Sequence, residues 1–450
     1  MKTGAIAAVL AAGVAASPAP AKRASITPVT VKGNAFFAGN ERFYVRGVDY
    51  QPGGSSEAKD PIADADACKR DIEKFKDLGL NTIRVYTVDN TANHDECMNA
   101  LADAGIYLAL DVNTPKYSLN RAAPQQSYNK VYLQSIFATI DAFKGYDNTL
   151  LFFSGNEVIN DAGTSSCAPY VKAVTRDMKS YINSRGYRAI PVGYSAADVA
   201  ENRLEMANYM NCGPDAVRSD FFAFNDYSWC DPDTFGETDW GQKVKNFSDY
   251  SIPLFLSEYG CNKNKRQFNQ VAGIYSDEMD AVYSGGLVYE YSEEGSNFGL
   301  VTIDGDSVTT NDDYAALKKA LAATPNPSGD GGFKTSGSAS QCPTKSSNWN
   351  VTISDDELPA FPDGADTYLE NGAGKGPGLT GDGSQTAGSA TTSLAAADSG
   401  AVTTGAASGS QASGSKGAAA GLHPPEFSAA PLVCGLVVLV SSLLGTTLIF

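Results

Sequence analysis

The stretch Leu150–Asn160 reads LLFFSGNEVIN. Four large apolar residues run without a break, and the chain then turns polar at the pair Asn156–Glu157. Carboxylates are rarely buried unless they are paired or put to use. A Glu set against the end of such a run calls for a fold whose strand ends carry chemistry. The run is short and rich in large apolar and aromatic residues, the pattern of a parallel strand covered on both faces.

Working outward, seven more segments share this character. They are RFYVRGVDY (42–50), NTIRVYTV (81–88) and GIYLALDV (105–112) before it, then YRAIPVGYS (187–195), DFFAFNDYS (220–228), IPLFLSEYG (252–260) and GGLVYEYSE (285–293) after it. Helical spacing fills many of the gaps. Ile72, Phe75 and Leu78 recur at three; Leu133, Ile136, Ile140 and Phe143 at three and four. Val171, Val174, Met178 and Tyr181 repeat that pattern, as do Phe268, Val271, Tyr275, Met279 and Val282. Strand then helix, eight times between residues 42 and about 322, predicts an α/β fold of the (β/α)8 TIM-barrel kind. A doubly wound open sheet is the rival, but its usual Gly-rich phosphate loop does not follow the first strand.

Barrel active sites lie at the C-terminal ends of the strands. Strand four ends in Asn156–Glu157 and strand seven in Glu258, within LFLSEYGC. Strands four and seven lie on facing sides of an eight-stranded barrel, so the two glutamates can point at each other. Such a pair is what glycoside chemistry requires: in retaining enzymes the carboxyls stand ~5–5.5 Å apart, one attacking the anomeric carbon while the other protonates the leaving oxygen. An Asn beside the acid can bond the sugar 2-hydroxyl. Other groups at this level are Asp49, Tyr50 and Gln51, Arg84 and Tyr86, Asp111, Tyr194, Tyr227, and Tyr289, Glu290, Tyr291 and Glu293. A lone Glu is more often a salt-bridged or capping carboxylate; two at corresponding strand ends strengthen the catalytic reading.

Composition narrows the alternatives. A net charge of −17 argues against nucleic-acid binding. Only His94 and His423 are present, so acid–base work falls to carboxylates, and no metal or other cofactor is expected. The N-terminal MKTGAIAAVLAAGVAAS reads as a signal peptide, residues 1–16. The chain ends in PLVCGLVVLVSSLLGTTLIF, apolar, uncharged and with no basic flank after it. With the small residues SGSKGAAAG and a short spacer before it, this is the pattern of a GPI-attachment signal. Attachment is expected near Gly417, with Ala418 and Ser415 as alternatives, and 418–450 as the removed propeptide; an ordinary tail anchor is the rival. Residues 25–345 form the expected catalytic domain. Residues 346–417 form the expected linker, which from about Asp363 is so poor in large apolar residues that it reads as a disordered stalk. Asn246 (NFS) and Asn350 (NVT) are N-glycan acceptor patterns. Removing Cys434 with the tail leaves seven cysteines, so one is expected to be unpaired.

The segments RGVDYQPGG, NTIRVYTVD, FFSGNEVIN and PLFLSEYGC, in this order, resemble the fungal β-1,3-glucanosyltransferases of glycoside hydrolase family 72. The resemblance covers about residues 25 to 345. It implies GPI-anchored enzymes of the cell surface that remodel wall glucan: they cleave β-1,3-glucan internally and transfer the new reducing end to the non-reducing end of another chain. It implies Glu157 as acid/base, Glu258 as nucleophile, and Asn156, Tyr86, Asp111, Tyr227 and Tyr291 in the substrate cleft. It also implies the disulfides Cys68–Cys97, Cys212–Cys342 and Cys230–Cys261, with Cys167 left over. Some members carry a cysteine-rich carbohydrate-binding module after the catalytic domain; no cysteine cluster follows it in this sequence, so the shorter class is expected. Donor and acceptor glucan and the membrane are the expected partners, and a monomer the expected state. An acceptor region is expected around Tyr227, Trp229, Tyr289 and Tyr291. A retaining endo-β-glucanase or mannanase, and a non-catalytic wall adhesin, remain open as alternatives.

Overall fold

The structure, a computed structural model, describes residues 25–402. Eight parallel strands close into a barrel in sequence order: β1 (Val45–Asp49), β2 (Thr82–Val85), β3 (Tyr107–Asp111), β4 (Thr149–Asn156), β5 (Val192–Ala197), β6 (Phe221–Asn225), β7 (Leu254–Tyr259) and β8 (Tyr283–Val288). Each is followed by a helix: α1 (Ala65–Leu78), α2 (Asp95–Asp103), α3 (Lys130–Phe143), α4 (Ala168–Ser184), α5 (Arg203–Met210), α6 (Trp240–Asn246), α7 (Gln270–Ile274) and α8 (Asp312–Ala323). All eight apolar runs are barrel strands. Local chemistry sets the helix ends. The Asp64 carboxylate caps α1 by accepting from Asp66 and Ala67 N–H, and Gly79 ends it at φ 72°. The repeat from Phe268 to Val282 makes only the five-residue α7. Its apolar side chains are still buried, but turns carry the later ones: Gly273 lies so close to Trp229 that a Cβ there would stand 2.7 Å from the indole.

The lower barrel is filled by phenylalanine. Phe153 (β4), Phe221 (β6) and Phe255 (β7) meet with ring centroids 5.4–6.2 Å apart. An N-terminal three-stranded sheet, Val29–Lys32, Ala35–Ala38 and Glu41–Phe43, closes this end. It inserts Phe36 against Phe221 and Phe255. Such filling of the interior leaves the opposite, C-terminal end for the site.

Three disulfides are formed: Cys68–Cys97 between α1 and α2, Cys230–Cys261 between the loops after β6 and β7, and Cys212–Cys342 from beyond α5 to beyond α8. Cys167 is a buried free thiol whose Sγ–H donates to the Arg121 carbonyl. His94 is buried against the Asp60 carboxylate and the Phe143 ring, away from the strand ends. Asn246 and Asn350 are exposed.

The linker departs from expectation. Residues 346–402 lie on the barrel: Trp349 is fully buried against Tyr209, Glu357–Pro359 pairs with Leu394–Ala396, and buried Arg176 of α4 donates to the Pro359 carbonyl. A segment this poor in large apolar residues has no core of its own. It is held by scattered anchors and by backbone hydrogen bonds to a surface already built. Signal peptide, Gly417 and propeptide lie outside the described residues. Among the described residues no helix is long and apolar enough to cross a membrane.

Candidate active site

A polar layer rests directly on the phenylalanines. Arg84, fully buried on β2, stacks its guanidinium on the rings of Phe153 and Tyr86 at 4.5 and 4.2 Å. From there it donates to Asp111 Oδ2 (2.9 Å), Asn156 Oδ1 (3.0 Å) and Glu258 Oε1 (3.2 Å). A third carboxylate, Asp49, is 4.0 Å away and fully buried, with neither oxygen hydrogen-bonded to protein. Burial pushes its carboxyl well above the usual range, against the pull of the Arg84 charge, and the neighbouring Glu258 raises it further.

Glu258 lies in a bed of donors. Tyr86 Oη donates to Oε1 and Tyr227 Oη to Oε2, both at 2.7 Å. Burial pushes its carboxyl up to about 7; Arg84 pulls it down, the facing Glu157 charge raises it, and the two tyrosines lower it. Glu157 is more open. Its Oε1 accepts from Asn225 Nδ2 at 2.8 Å, and its carbonyl from Arg121 Nη2 at 2.6 Å.

Both glutamates emerge where strand register breaks. β4 shifts against β5 between Phe153 and Asn156, and β7 against β6 between Leu256 and Glu258. Strict alternation would send Asn156 and Glu157 to opposite faces. The shift, with Glu157 at φ 46°, turns both toward the cleft. Asn156 Oδ1 is engaged by Arg84, Ser195 and Asn225, which leaves the amide nitrogen for a ligand. A cavity of about 340 Å³ opens beside it, lined by Tyr86, Asp111, Ser118, Arg121 and Asn156 among others. On the other side Tyr227, Tyr289 and Phe298 form an edge-to-face cluster, centroids 5.3–6.4 Å apart.

Thus Glu157, Glu258, Asn156, Tyr86, Asp111 and Tyr227 come together. Tyr291 does not. Its ring is fully buried between Tyr50 and Phe75 and its hydroxyl is spent on Asp71 Oδ1, because the chain turns inward after β8. Trp229 likewise packs on Trp240 and donates to the Asp233 carbonyl instead of facing the cleft. Asn225, Arg121 and Phe298 belong to the site and were not singled out from sequence. Asn225 had a signal, an amide at the end of β6 like Asn156 at the end of β4. Arg121 and Phe298 sit in loops without one.

A glycoside hydrolase family 72 profile, described as glucanosyltransferase, matches residues 18–325. The 1,3-beta-glucanosyltransferase gel1 of Aspergillus fumigatus is 67% identical over all of both chains. The 1,3-beta-glucanosyltransferase GAS5 of Saccharomyces cerevisiae is 53% identical over 81% of this chain and 76% of its own. Among solved structures, a Saccharomyces cerevisiae Gas2p mutant in complex with laminaritetraose and laminaripentaose superposes with a TM-score of 0.70 at 37% identity, covering 76% of each chain. With its bulged β4 and β7 ends presenting paired glutamates over a phenylalanine-filled barrel, the chain belongs to the glucanosyltransferases of glycoside hydrolase family 72.

Proposed function

We propose that the chain is a retaining 1,3-β-glucanosyltransferase, with Glu258 as nucleophile and Glu157 as acid/base. The observation that carries the assignment is the asymmetry of the pair. Three donors stabilise a carboxylate at Glu258, the form that attacks, whereas Glu157 has one amide donor and faces the more open cleft. Oε1 of Glu258 accepts two hydrogen bonds and Oε2 one, so Oε2 keeps the freer lone pair for the anomeric carbon.

In the first half-reaction Glu258 attacks an internal β-1,3-linked glucosyl unit while Glu157 gives its proton to the departing 3-oxygen. The reducing-end fragment leaves. In the second, ionised Glu157 takes the proton from the 3-hydroxyl at the non-reducing end of an acceptor chain. That oxygen displaces Glu258 and makes a new β-1,3 bond; two inversions retain the anomer. The donor chain occupies the cavity beside Asn156, and the acceptor lies over Tyr227, Tyr289 and Phe298. Incubation with a reduced β-1,3-glucan oligomer, followed by sizing, tests this. Products longer than the starting material are expected; only shorter ones would make the enzyme an endo-glucanase.

The proposed site of action is the outer face of the plasma membrane or the wall, reached through the signal peptide and a GPI anchor near Gly417. Val402, the last described residue, is fastened to Ser180 and Asn183 near the C-terminal end of α4, the barrel face away from the cleft.

A further inference from the structure

The segment that sequence marks as linker is attached to the wall of the catalytic cleft. Ser384 N–H donates to the Lys116 carbonyl (2.9 Å) and Thr391 N–H to that of Gln125 (2.8 Å). Gln385 Nε2 donates to Ser118 O and Oγ at 2.8 and 3.2 Å, and Gly383 N–H to the Tyr117 hydroxyl at 3.2 Å. In return Asn129 Nδ2 donates to the Ser384 carbonyl, and Lys116 Nζ to that of Gly381. The fit is close enough to demand glycine. A Cβ on Gly381 would lie 2.1 Å from the Tyr117 oxygen, and one on Gly376 2.1 Å from Asn90 Oδ1.

Apart from Asn90, which lies between β2 and α2, these loop residues belong to one connection, between β3 and α3. Its inner face supplies Ser118, Leu119 and Arg121 to the cavity beside Asn156. Its Arg121 also holds the Glu157 carbonyl. The segment therefore grips the outside of a loop whose inside touches both the bound-glucan space and the backbone of the acid/base residue. Loops gain precision only when something rigid backs them.

We propose that residues 373–391 are a positioning element of the active site, holding the wall of one arm of the cleft in its glucan-binding shape. The proposal rests on the reading of that cavity as a glucan subsite. It predicts that affinity for long glucan depends on residues beyond the barrel's last helix, though none of them touches the sugar.

The test uses the full chain carrying Glu157→Gln, so that turnover does not intervene, and a β-1,3-linked glucose hexaose as the probe. Gly381→Val drives the strap off Tyr117; Gln385→Ala removes two hydrogen bonds without backbone strain. Calorimetric Kd for the hexaose is expected to rise at least ~5-fold in the first variant and ~2-fold in the second, because the bonds lost act on the sugar only through the loop. The Tm is expected to stay within a few degrees of the parent, and limited proteolysis of Gly381→Val to cut between 373 and 391. Unchanged Kd in both variants would overturn the proposal. So would a Kd that worsens only in step with loss of folded protein. Binding does not depend on whether bound chain is transferred or hydrolysed, so this outcome and that of the product-sizing experiment stand apart.

Discussion

The buried Glu258 carries the clearest residue-scale consequences. Glu157→Gln and Glu258→Gln are each expected to lower transfer by ~10³-fold or more. An activated donor separates them. A leaving group that needs no proton lets Glu157→Gln form the glycosyl-enzyme at a substantial rate and leaves Glu258→Gln inert, as burst kinetics would report. The pH dependence has a definite sign. Attack requires the carboxylate, and burial raises Glu258 above its ordinary 4.5 toward about 7, so kcat/KM is expected to fall with pH through that interval. Tyr86→Phe or Tyr227→Phe removes a donor to the charged form and moves the acid limb to higher pH. Stability follows the same linkage. The folded state holds this proton more tightly than the unfolded chain, so the contribution is full below the ordinary value and is lost as pH rises through the folded one. The Tm of Glu258→Gln is therefore expected to match the parent near ~pH 4 and exceed it near ~pH 8.

Among elements, the bridges differ in what they close. Cys212–Cys342 spans 130 residues, Cys68–Cys97 and Cys230–Cys261 only 29 and 31. Loop-closure entropy values these at about 5 kcal/mol for the long loop and about 3.5 kcal/mol for each short one. Paired Cys→Ser changes at 212 and 342 are thus expected to cost the most in denaturant titration. Loss of Cys230–Cys261 is expected to lower activity out of proportion to stability, because it joins the loops following Tyr227 and Glu258. Phe36→Ala, which opens the plugged end of the barrel among Phe221 and Phe255, is expected to cost about 3–5 kcal/mol with little effect on KM.

For the whole molecule the decisive quantity is what reaches the glycosyl-enzyme next. Effective molarities of positioned reactants reach ~10⁵ M or more, well above that of bulk water, so a bound acceptor hydroxyl can win. Tyr289→Ala and Phe298→Ala thin the aromatic wall opposite the cavity. They are expected to lower the ratio of elongated to shortened oligomers at equal donor consumed, beyond any loss of rate. Tyr291→Ala, buried against Asp71, is expected to lower stability instead.

By itself the sequence determined the barrel and which two glutamates stand at the ends of its fourth and seventh strands. Strand and helix periods are local properties, and the fourth and seventh apolar runs turn polar at Asn156–Glu157 and at Glu258. The family resemblance supplied the three disulfide pairings that the fold contains. Only the tertiary structure decided which way side chains at those strand ends turn. Tyr227 and Tyr291 look alike in sequence, yet one hydroxyl meets Glu258 and the other Asp71. Register breaks in β4 and β7 and the inward turn after β8 depend on neighbours remote in the chain. The strap was hidden for a related reason. Composition reports whether a segment can build a core of its own, and Ser384 or Gly381 needs none, because the barrel supplies the partners.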